Sequence, residues 1–240
     1  MLNPRVGYAV TFGILASVAS LTISHAQNAT AAAVSDPVQR FLTRTDEPLT
    51  RYRARRTLRA RNERFNKEGW ITAYTELDPV AGFTYRIIEE GGSGYIRNKV
   101  LRKTLDGEQE AVAAGDPTRS ALSSLNYQFS LTGIDGPNAR VRVTPRRKER
   151  FLVDGTIVVT ADGGDLVQVE GRLARNPSWW TNRVDVVRRY GRIDGVRVPL
   201  SVESTANVKI AGTSAFSMTY DYESINGRAV DTASASAARQ

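Results

Sequence analysis

The sequence predicts a mainly β protein with flanking helices, built on one strongly curved antiparallel sheet. Apolar and polar residues alternate strictly over residues 196–210, which is typical of a strand with one dry and one solvated face. Turn sequences such as Asp194-Gly195 separate successive strands, which therefore pair as antiparallel hairpins. About nine or ten strands follow in this way, too many for a flat sheet, so we expect the sheet to curl strongly or to close.

The same alternation predicts the other strands, and two segments have helical spacing instead. The strands are expected at residues 51–61, 70–77, 83–88, 125–131, 139–143, 151–159, 166–173, 184–193 and 216–223. A polar cap at residues 35–36 followed by Pro37 begins a short helix that ends before Pro48. Ser93 precedes a second helix, which we expect Gly107 to break. Both helices are expected to cover the concave face of the sheet.

The first 26 residues are typical of a secretory signal peptide. Arg5, an apolar run over residues 6–23 and a small residue, Ala26, supply its three parts. An uncleaved anchor is the alternative, because the run approaches the roughly 18–20 apolar residues that span a bilayer. We expect cleavage and delivery to the periplasm of the cell envelope. The remaining chain is then divided into a flexible leader (27–35), a single domain (36–227) and a disordered tail (228–240).

The composition narrows the chemistry. The chain has one histidine, His25, which lies in the signal segment, and no cysteine. The mature protein would therefore lack the usual general base, thiol nucleophile and soft metal ligands, as well as the cysteine needed for N-terminal lipidation. We expect a non-catalytic protein without a metal or a cofactor. A hydrolase that uses only carboxylates, such as Glu76, Glu89 and Glu90, is the remaining catalytic alternative.

The formal net charge of +8 is concentrated in part on the strand predicted at residues 51–61. Its outward positions form a basic docking face: Arg51, Arg53, Arg55, Arg59 and Arg61. Such a face suits transient contact with an anionic membrane surface or an acidic envelope protein, while export excludes nucleic acid. The alternative is an edge strand whose charges prevent edge-to-edge aggregation.

Arg56 differs from these arginines because it falls on the apolar side of its own strand. An inward arginine must be neutralised, since burying an unpaired charge is costly. We expect a structural partner such as a glutamate. The alternative is an anionic headgroup at the mouth of a cavity.

Large apolar side chains recur on the predicted strands, where they either fill the core or line a cavity for acyl chains. The candidate ligand-binding residues are Trp70, Tyr74, Phe83, Phe129, Phe216, Met218, Tyr220 and Tyr222.

The order of elements over about residues 36–226 resembles the LolA-like family of outer-membrane lipoprotein-sorting proteins. Three stretches are similar to an uncharacterised branch of that superfamily: residues 153–157 (VDGTI), 184–190 (VDVVRRY) and 219–224 (TYDYES). The resemblance implies an unclosed β-barrel with a helical lid over a hydrophobic cavity for acyl chains of a lipid or lipoprotein. We therefore expect a carrier or sensor involved in transport. The alternative is a structural or interaction module with a filled core.

Overall fold

The computed structural model describes residues 36–115, 117–179 and 181–231 of the chain. The predicted signal peptide (1–26) and leader (27–35) lie outside the described residues. The helical elements are α1 (Pro37–Thr43), α2 (Gly94–Ile96), a π-helical segment (Arg97–Leu101), α3 (Arg102–Ala113) and a 3₁₀ turn (Pro117–Ser120). No helix in the described ranges is long and apolar enough to cross a membrane.

The strands form one sheet in which neighbouring strands are antiparallel. They are β1 (Tyr52–Asn62), β2 (Lys67–Asp78), β3 (Gly82–Gly92), β4 (Tyr127–Asp135), β5 (Asn138–Pro145), β6 (Val153–Thr160), β7 (Leu166–Leu173), β8 (Thr181–Ile193), β9 (Val196–Val208), β10 (Gly212–Ile225) and β11 (Arg228–Ala229). Their order is β3-β2-β1-β10-β9-β8-β7-β6-β5-β4, and β11 pairs with β10. Within the described part of the chain the sheet is open, with β3 and β4 at its edges.

Alternation gives the sheet an apolar inner face and a polar outer face. In β1, Ala54 and Leu58 point to the inner face and are fully buried, whereas Arg53 and Arg55 are exposed on the outer face. The inner face carries two core clusters. The first joins β1, β2, β3 and β10 to the second helical region, and the second joins β4 to β8 to α1. Strand β9 contributes to both clusters.

The sheet curls, because residues four strands apart lie within electrostatic range of one another: Tyr127 of β4 interacts with Arg188 and Tyr190 of β8. The second cluster combines side chains of six strands with one seven-residue helix. The backbones of β6 and β7 come unusually close where Gly155 is paired with Gly171. A Cβ atom on Gly155 would lie 1.9 Å from the carbonyl oxygen of Glu170. Only glycine allows the two backbones to come this close.

The lid segment, residues 94–113, comprises α2, the π-helical segment and α3 and packs on β1, β2 and β3. The helix begins after Ser93 as expected, although the Ser93 side chain makes no capping hydrogen bond. The expectation that Gly107 breaks the helix was wrong: α3 runs through Gly107, which is buried. A glycine costs about 1 kcal/mol in a helix, and burial of Leu105 and Glu108 beside it holds the helix in place.

The two ends of the domain also pack on the sheet. Helix α1 begins as predicted, with the backbone N–H of Val38 donating to the Asp36 carboxylate at 2.9 Å, and it packs on β4 and β6. At the other end, Arg228–Ala229 forms β11 beside β10. The ordered fold therefore continues past residue 227, and the rest of the predicted tail from residue 232 lies outside the described residues.

Candidate ligand-binding site

The eight predicted cavity residues are divided between the two faces of the sheet. Five are buried in the first core cluster: Phe83, Phe216, Met218, Tyr220 and Tyr222. Phe129 packs, half-buried, against the second cluster. These six side chains belong to the inner face, and their contact with a ligand remains a prediction.

Trp70 and Tyr74 lie on the outer face, so the structure corrects their assignment to the interior. The inner positions of β2 are Gly69, Ile71, Ala73 and Thr75, which are all buried. The lid packs so closely there that a Cβ atom on Gly69 would lie 3.1 Å from Cγ2 of Ile96. A small residue is required at position 69, and the large rings of Trp70 and Tyr74 lie on the opposite face. The Arg59 guanidinium lies 6.0 Å from the centre of the Trp70 ring.

Arg56 connects the inner face of β1 to the lid. Its Nη1 donates to Oε2 of Glu108 at 2.6 Å and its Nη2 donates to Oε1 at 3.0 Å. Nη2 also donates to the hydroxyl of Tyr52, and the guanidinium lies 4.4 Å from the centre of the Tyr220 ring. The expected glutamate partner is thus confirmed, and Arg56 is neutralised within the protein.

Burial and neighbouring charges determine the protonation states of Arg56 and of the buried tyrosines near it. Burial alone would lower the pKa of Arg56, but the adjacent Glu108 carboxylate raises it well above its ordinary value, so the guanidinium stays charged. Burial raises the pKa of Tyr52, Tyr220 and Tyr222 far above the ordinary tyrosine value. These hydroxyls are therefore neutral at physiological pH and able to donate.

More of the arginines on the outer face of β1 are paired with carboxylates than the sequence suggested. Three members of the predicted basic docking face pair with carboxylates: Arg51 with Asp78 at 3.0 Å, Arg53 with Glu76 at 3.2 Å and Arg55 with Asp221 at 3.0 Å. Strand β1 lies between β2 and β10. The alternative of an edge strand was therefore wrong: these arginines pair across strands inside the sheet.

A second polar group of side chains lies on the inner face, where the two core clusters meet. On β8, Arg188 falls between Val186 of the second cluster and Ile193 of the first. On β9, Ser204 falls between residues of the two clusters in the same way. The Arg188 Nε, the Ser204 Oγ and the Tyr220 hydroxyl are buried and have no hydrogen-bond partner in the described structure. We call Arg188, Tyr190, Ser204 and Tyr220 the junction cluster.

The ionisable groups of the junction cluster, Arg188, Tyr190 and Tyr220, interact electrostatically. Arg188 and Tyr190 both influence the ionisation of Tyr220, and both also influence that of Tyr127. These groups therefore lie within electrostatic range across the inner face. Sequence reasoning missed Arg188, although its position on β8, in phase with Val184 and Val186, marks it as an inward charge.

Open grooves are found on the outer face. One of about 730 Å³ is lined by Tyr74, Arg55 and Arg189 among others, and one of about 380 Å³ by Arg59, Arg61 and Trp70 among others. Both expose polar and charged side chains. The described residues contain no group of three or more carboxylates or histidines placed to hold a metal ion.

The chain is similar in fold to two solved structures. A LolA superfamily protein from Nitrosomonas europaea matches with a TM-score of 0.36 and 9% identity, over 82% of this chain and 95% of that chain. A DUF1329 family protein from Desulfovibrio piger ATCC 29098 matches with a TM-score of 0.34 and 11% identity, over 80% and 92%. No protein-family model and no curated protein matches the sequence. The strand topology confirms the predicted fold class, a mainly β protein with an open antiparallel sheet and flanking helices.

Proposed function

We propose that the protein is an exported, non-catalytic carrier or sensor that binds an apolar or acylated ligand, such as a lipid or the acyl chains of a lipoprotein. The ligand would lie between the lid segment and the inner face, in the periplasm. The observation that carries this proposal is that the lid covers the apolar inner face without being part of the sheet. Ile96, Leu101 and Leu105 are at most 4% exposed, yet the helix that carries them is joined to the sheet by side chains and not by strand pairing.

An acyl chain can replace the lid side chains at comparable free energy. Moving three buried apolar side chains into water costs about 1.5–3 kcal/mol each, and separating the Arg56–Glu108 pair adds a few kcal/mol. Burying about twelve methylenes of an acyl chain contributes about 0.8 kcal/mol each, or about 10 kcal/mol. The two sums are of the same order, so binding and release can both occur.

The contacts of the lid indicate which part moves. Its beginning follows β3 directly, and Glu90 of β3 pairs with Arg97 at 2.7 Å and with Arg102 at 2.5 Å. Further along, polar anchoring to the sheet includes the Arg56–Glu108 pair and the Tyr85 hydroxyl, which donates to Asp106 at 2.6 Å. We expect the part of α3 that carries Asp106 and Glu108 to swing away once these two contacts separate, while the beginning of the lid, held by Glu90, stays near β3.

The lid mechanism is tested with single cysteines, because the chain has none of its own. Leu105 of the lid and Leu58 of β1 are both fully buried. Adding a long-chain fatty acid should make the thiol of Leu105→Cys reactive toward a maleimide, while the thiol of Leu58→Cys stays protected beneath the ligand. Native mass spectrometry of the wild-type protein should show the fatty acid bound at fixed stoichiometry.

The outcomes separate the possible functions. No bound fatty acid in the mass spectrum would refute the carrier proposal. Equal exposure of both thiols would indicate unfolding and would also contradict lid opening.

A structural or interaction module of the cell envelope is the second candidate. The fully buried Leu101 and Leu105 favour it, because their own side chains pack into the first core cluster. If no fatty acid binds and both thiols stay unreactive, this function is the better one.

The docking part of the proposal rests on two arginines of the outer face. Within the described residues, Arg59 and Arg61 make no ion pair with a carboxylate. They border the groove beside Trp70. A basic residue near an anionic membrane contributes about 1 kcal/mol of attraction. This surface would bring the carrier transiently to an anionic membrane or to an acidic envelope protein.

A further inference from the structure

We propose that the junction cluster is an oxyanion site, in which Arg188 binds the carboxylate or phosphate headgroup of an acylated ligand and the hydroxyls of Tyr190, Ser204 and Tyr220 surround it. This inference rests on the proposed function, because it places the headgroup of the ligand whose acyl chain that function assigns to the inner face.

Arg188 differs from the other arginines of β8 in having no counter-charge. Arg183 pairs with Asp185 at 2.7 Å, Arg189 with Glu203 at 2.7 Å and Arg192 with Asp46 at 2.6 Å. No carboxylate of residues 36–115, 117–179 or 181–231 lies within ion-pair distance of Arg188, although it is half-buried. Glu108 faces the same region from the lid, but it is bound by Arg56. Among the residues that the structure describes, the positive charge of Arg188 on the inner face is therefore not compensated by a carboxylate.

Hydrophobic burial does not explain the hydroxyls near this charge. Tyr220 is 2% exposed and Ser204 is 5% exposed, and in the described structure neither side-chain oxygen has a partner. A buried polar group without a hydrogen bond costs about 1–3 kcal/mol. A ligand that accepts hydrogen bonds from these hydroxyls and from the nearby guanidinium would offset that cost.

The strand register places Arg188 between the hydroxyls on the inner face. Arg188 is opposite Val202, which is opposite Met218. Because β9 and β10 are antiparallel, Ser204 lies on one side of this row, and Tyr220 lies on the other side together with Tyr190. Ser204 is the diagonal neighbour of Arg188 on the adjacent strand, and such neighbours are about 7–8 Å apart, within reach of a long side chain. Tyr220 is two strands away and within electrostatic range of Arg188.

The chemistry of the cluster selects an oxyanion attached to an apolar chain. A guanidinium binds carboxylate or phosphate through two parallel hydrogen bonds, and these charge-assisted bonds are about twice as strong as neutral ones. The tyrosine hydroxyl stays protonated because burial raises the pKa of Tyr220. Apolar clusters extend from both sides of the junction and provide surface for the chain. Ordered water would satisfy the hydroxyls but would leave the charge of Arg188 unbalanced.

The test compares three twelve-carbon amphiphiles by calorimetric titration of the mature protein at pH 7: dodecanoic acid, dodecyl phosphate and dodecanol. The wild-type protein should bind at least one of the two anions roughly tenfold more tightly than the alcohol, or better. In Arg188→Gln that preference should fall to about one, with dodecanol binding unchanged. The neighbouring Arg189→Gln, which alters an outward, paired arginine, should keep the wild-type preference. The better-bound anion distinguishes a fatty acid carboxylate from a phosphate headgroup.

A stability measurement separates ligand binding from a structural role. Removing an unpaired inward charge should leave the melting temperature of the ligand-free Arg188→Gln protein unchanged or higher, whereas a structural arginine would lower it. Equal binding of all three amphiphiles would overturn the oxyanion site while leaving the carrier proposal intact. Failure of all three to bind would refute both.

Discussion

The guanidinium of Arg56, in the middle of β1, and the carboxylate of Glu108, on α3, form a buried ion pair that joins the sheet to its lid. The two side chains are 1% and 5% exposed. Aromatic rings of Tyr220 and Phe83 lie 4.4 and 5.1 Å from the guanidinium. The pair is therefore both a fixed element of the first core cluster and the contact that must separate if the lid opens.

Replacing Glu108 by glutamine should destabilise the protein by about 3–5 kcal/mol, because it leaves the Arg56 charge buried without a counter-charge. The free energy of unfolding in urea measures this loss. The double variant Arg56→Met/Glu108→Leu should recover most of it, since neither charge is then present. A single variant as stable as the wild type would contradict the role assigned to the pair.

Phe216 and Trp70 should respond differently to truncation, because they lie on opposite faces of the sheet. Phe216→Ala opens a cavity in the first core cluster and should cost about 3–5 kcal/mol. Trp70→Ala removes a half-exposed outer side chain and should cost less than about 1.5 kcal/mol. Urea unfolding of both variants tests the assignment of faces. A larger loss for Trp70→Ala would place Trp70 in the core after all.

Stability should fall as the pH rises from 10 to 12. Burial and then the hydrogen bond to the Asp106 carboxylate raise the pKa of Tyr85 to about 12. The unfolded chain loses the Tyr85 proton near pH 10, while the folded chain keeps it to about pH 12. The contribution of this hydroxyl to the free energy of unfolding is therefore complete below pH 10 and is lost as the pH rises toward 12. The melting temperature, followed from pH 8 to 12, should decline in this window. Tyr85→Phe should decline less steeply, and identical slopes would contradict the assignment.

Binding to anionic vesicles should depend on Arg59 and Arg61 more than on Arg53 and Arg55. The first two lack a carboxylate partner in the described structure, whereas the last two pair with Glu76 and Asp221. Arg59→Gln/Arg61→Gln should weaken co-sedimentation with phosphatidylglycerol vesicles several-fold, and salt should weaken it further. Arg53→Gln/Arg55→Gln serves as the matched control. An equal loss in both double variants would refute the narrower docking surface.

Much of the fold could be predicted from local patterns. Alternation identified the strands, and Asp194-Gly195 adopts the positive φ angles that its turn sequence suggested. Charge burial also led to the expectation of a glutamate partner for Arg56, with an anionic headgroup as the alternative, and the structure confirms the glutamate. Alternation could not show which side chains of β2 point to the inner face. Trp70 and Tyr74 are larger than the inner residues that alternate with them, so their size favoured the wrong face. The lid packs closely on β2, so the side of that strand with the smaller side chains faces inward. The lid lies outside the local sequence of β2, so the alternation within β2 does not reveal this contact.

The candidate site was predicted only in part for the same reason. Five of the named residues lie in one cluster with Arg56, but Arg188 was missed. Its inward direction is visible in the alternation of β8, whereas its missing partner is not. Pairing depends on which carboxylates other strands and helices bring near, and that is a property of the whole sheet.

The sequence by itself determined that this protein is an antiparallel sheet with one apolar face, since side chains on a strand alternate in direction and hairpin turns join neighbours. It also determined that the chain has no cysteine and that its one histidine, His25, lies in the predicted signal peptide. Only the tertiary structure decided that β1 lies inside the sheet, that its arginines are mostly paired, and that Arg188 has no carboxylate partner among the described residues. These outcomes depend on contacts between residues far apart in the chain, which no local pattern records.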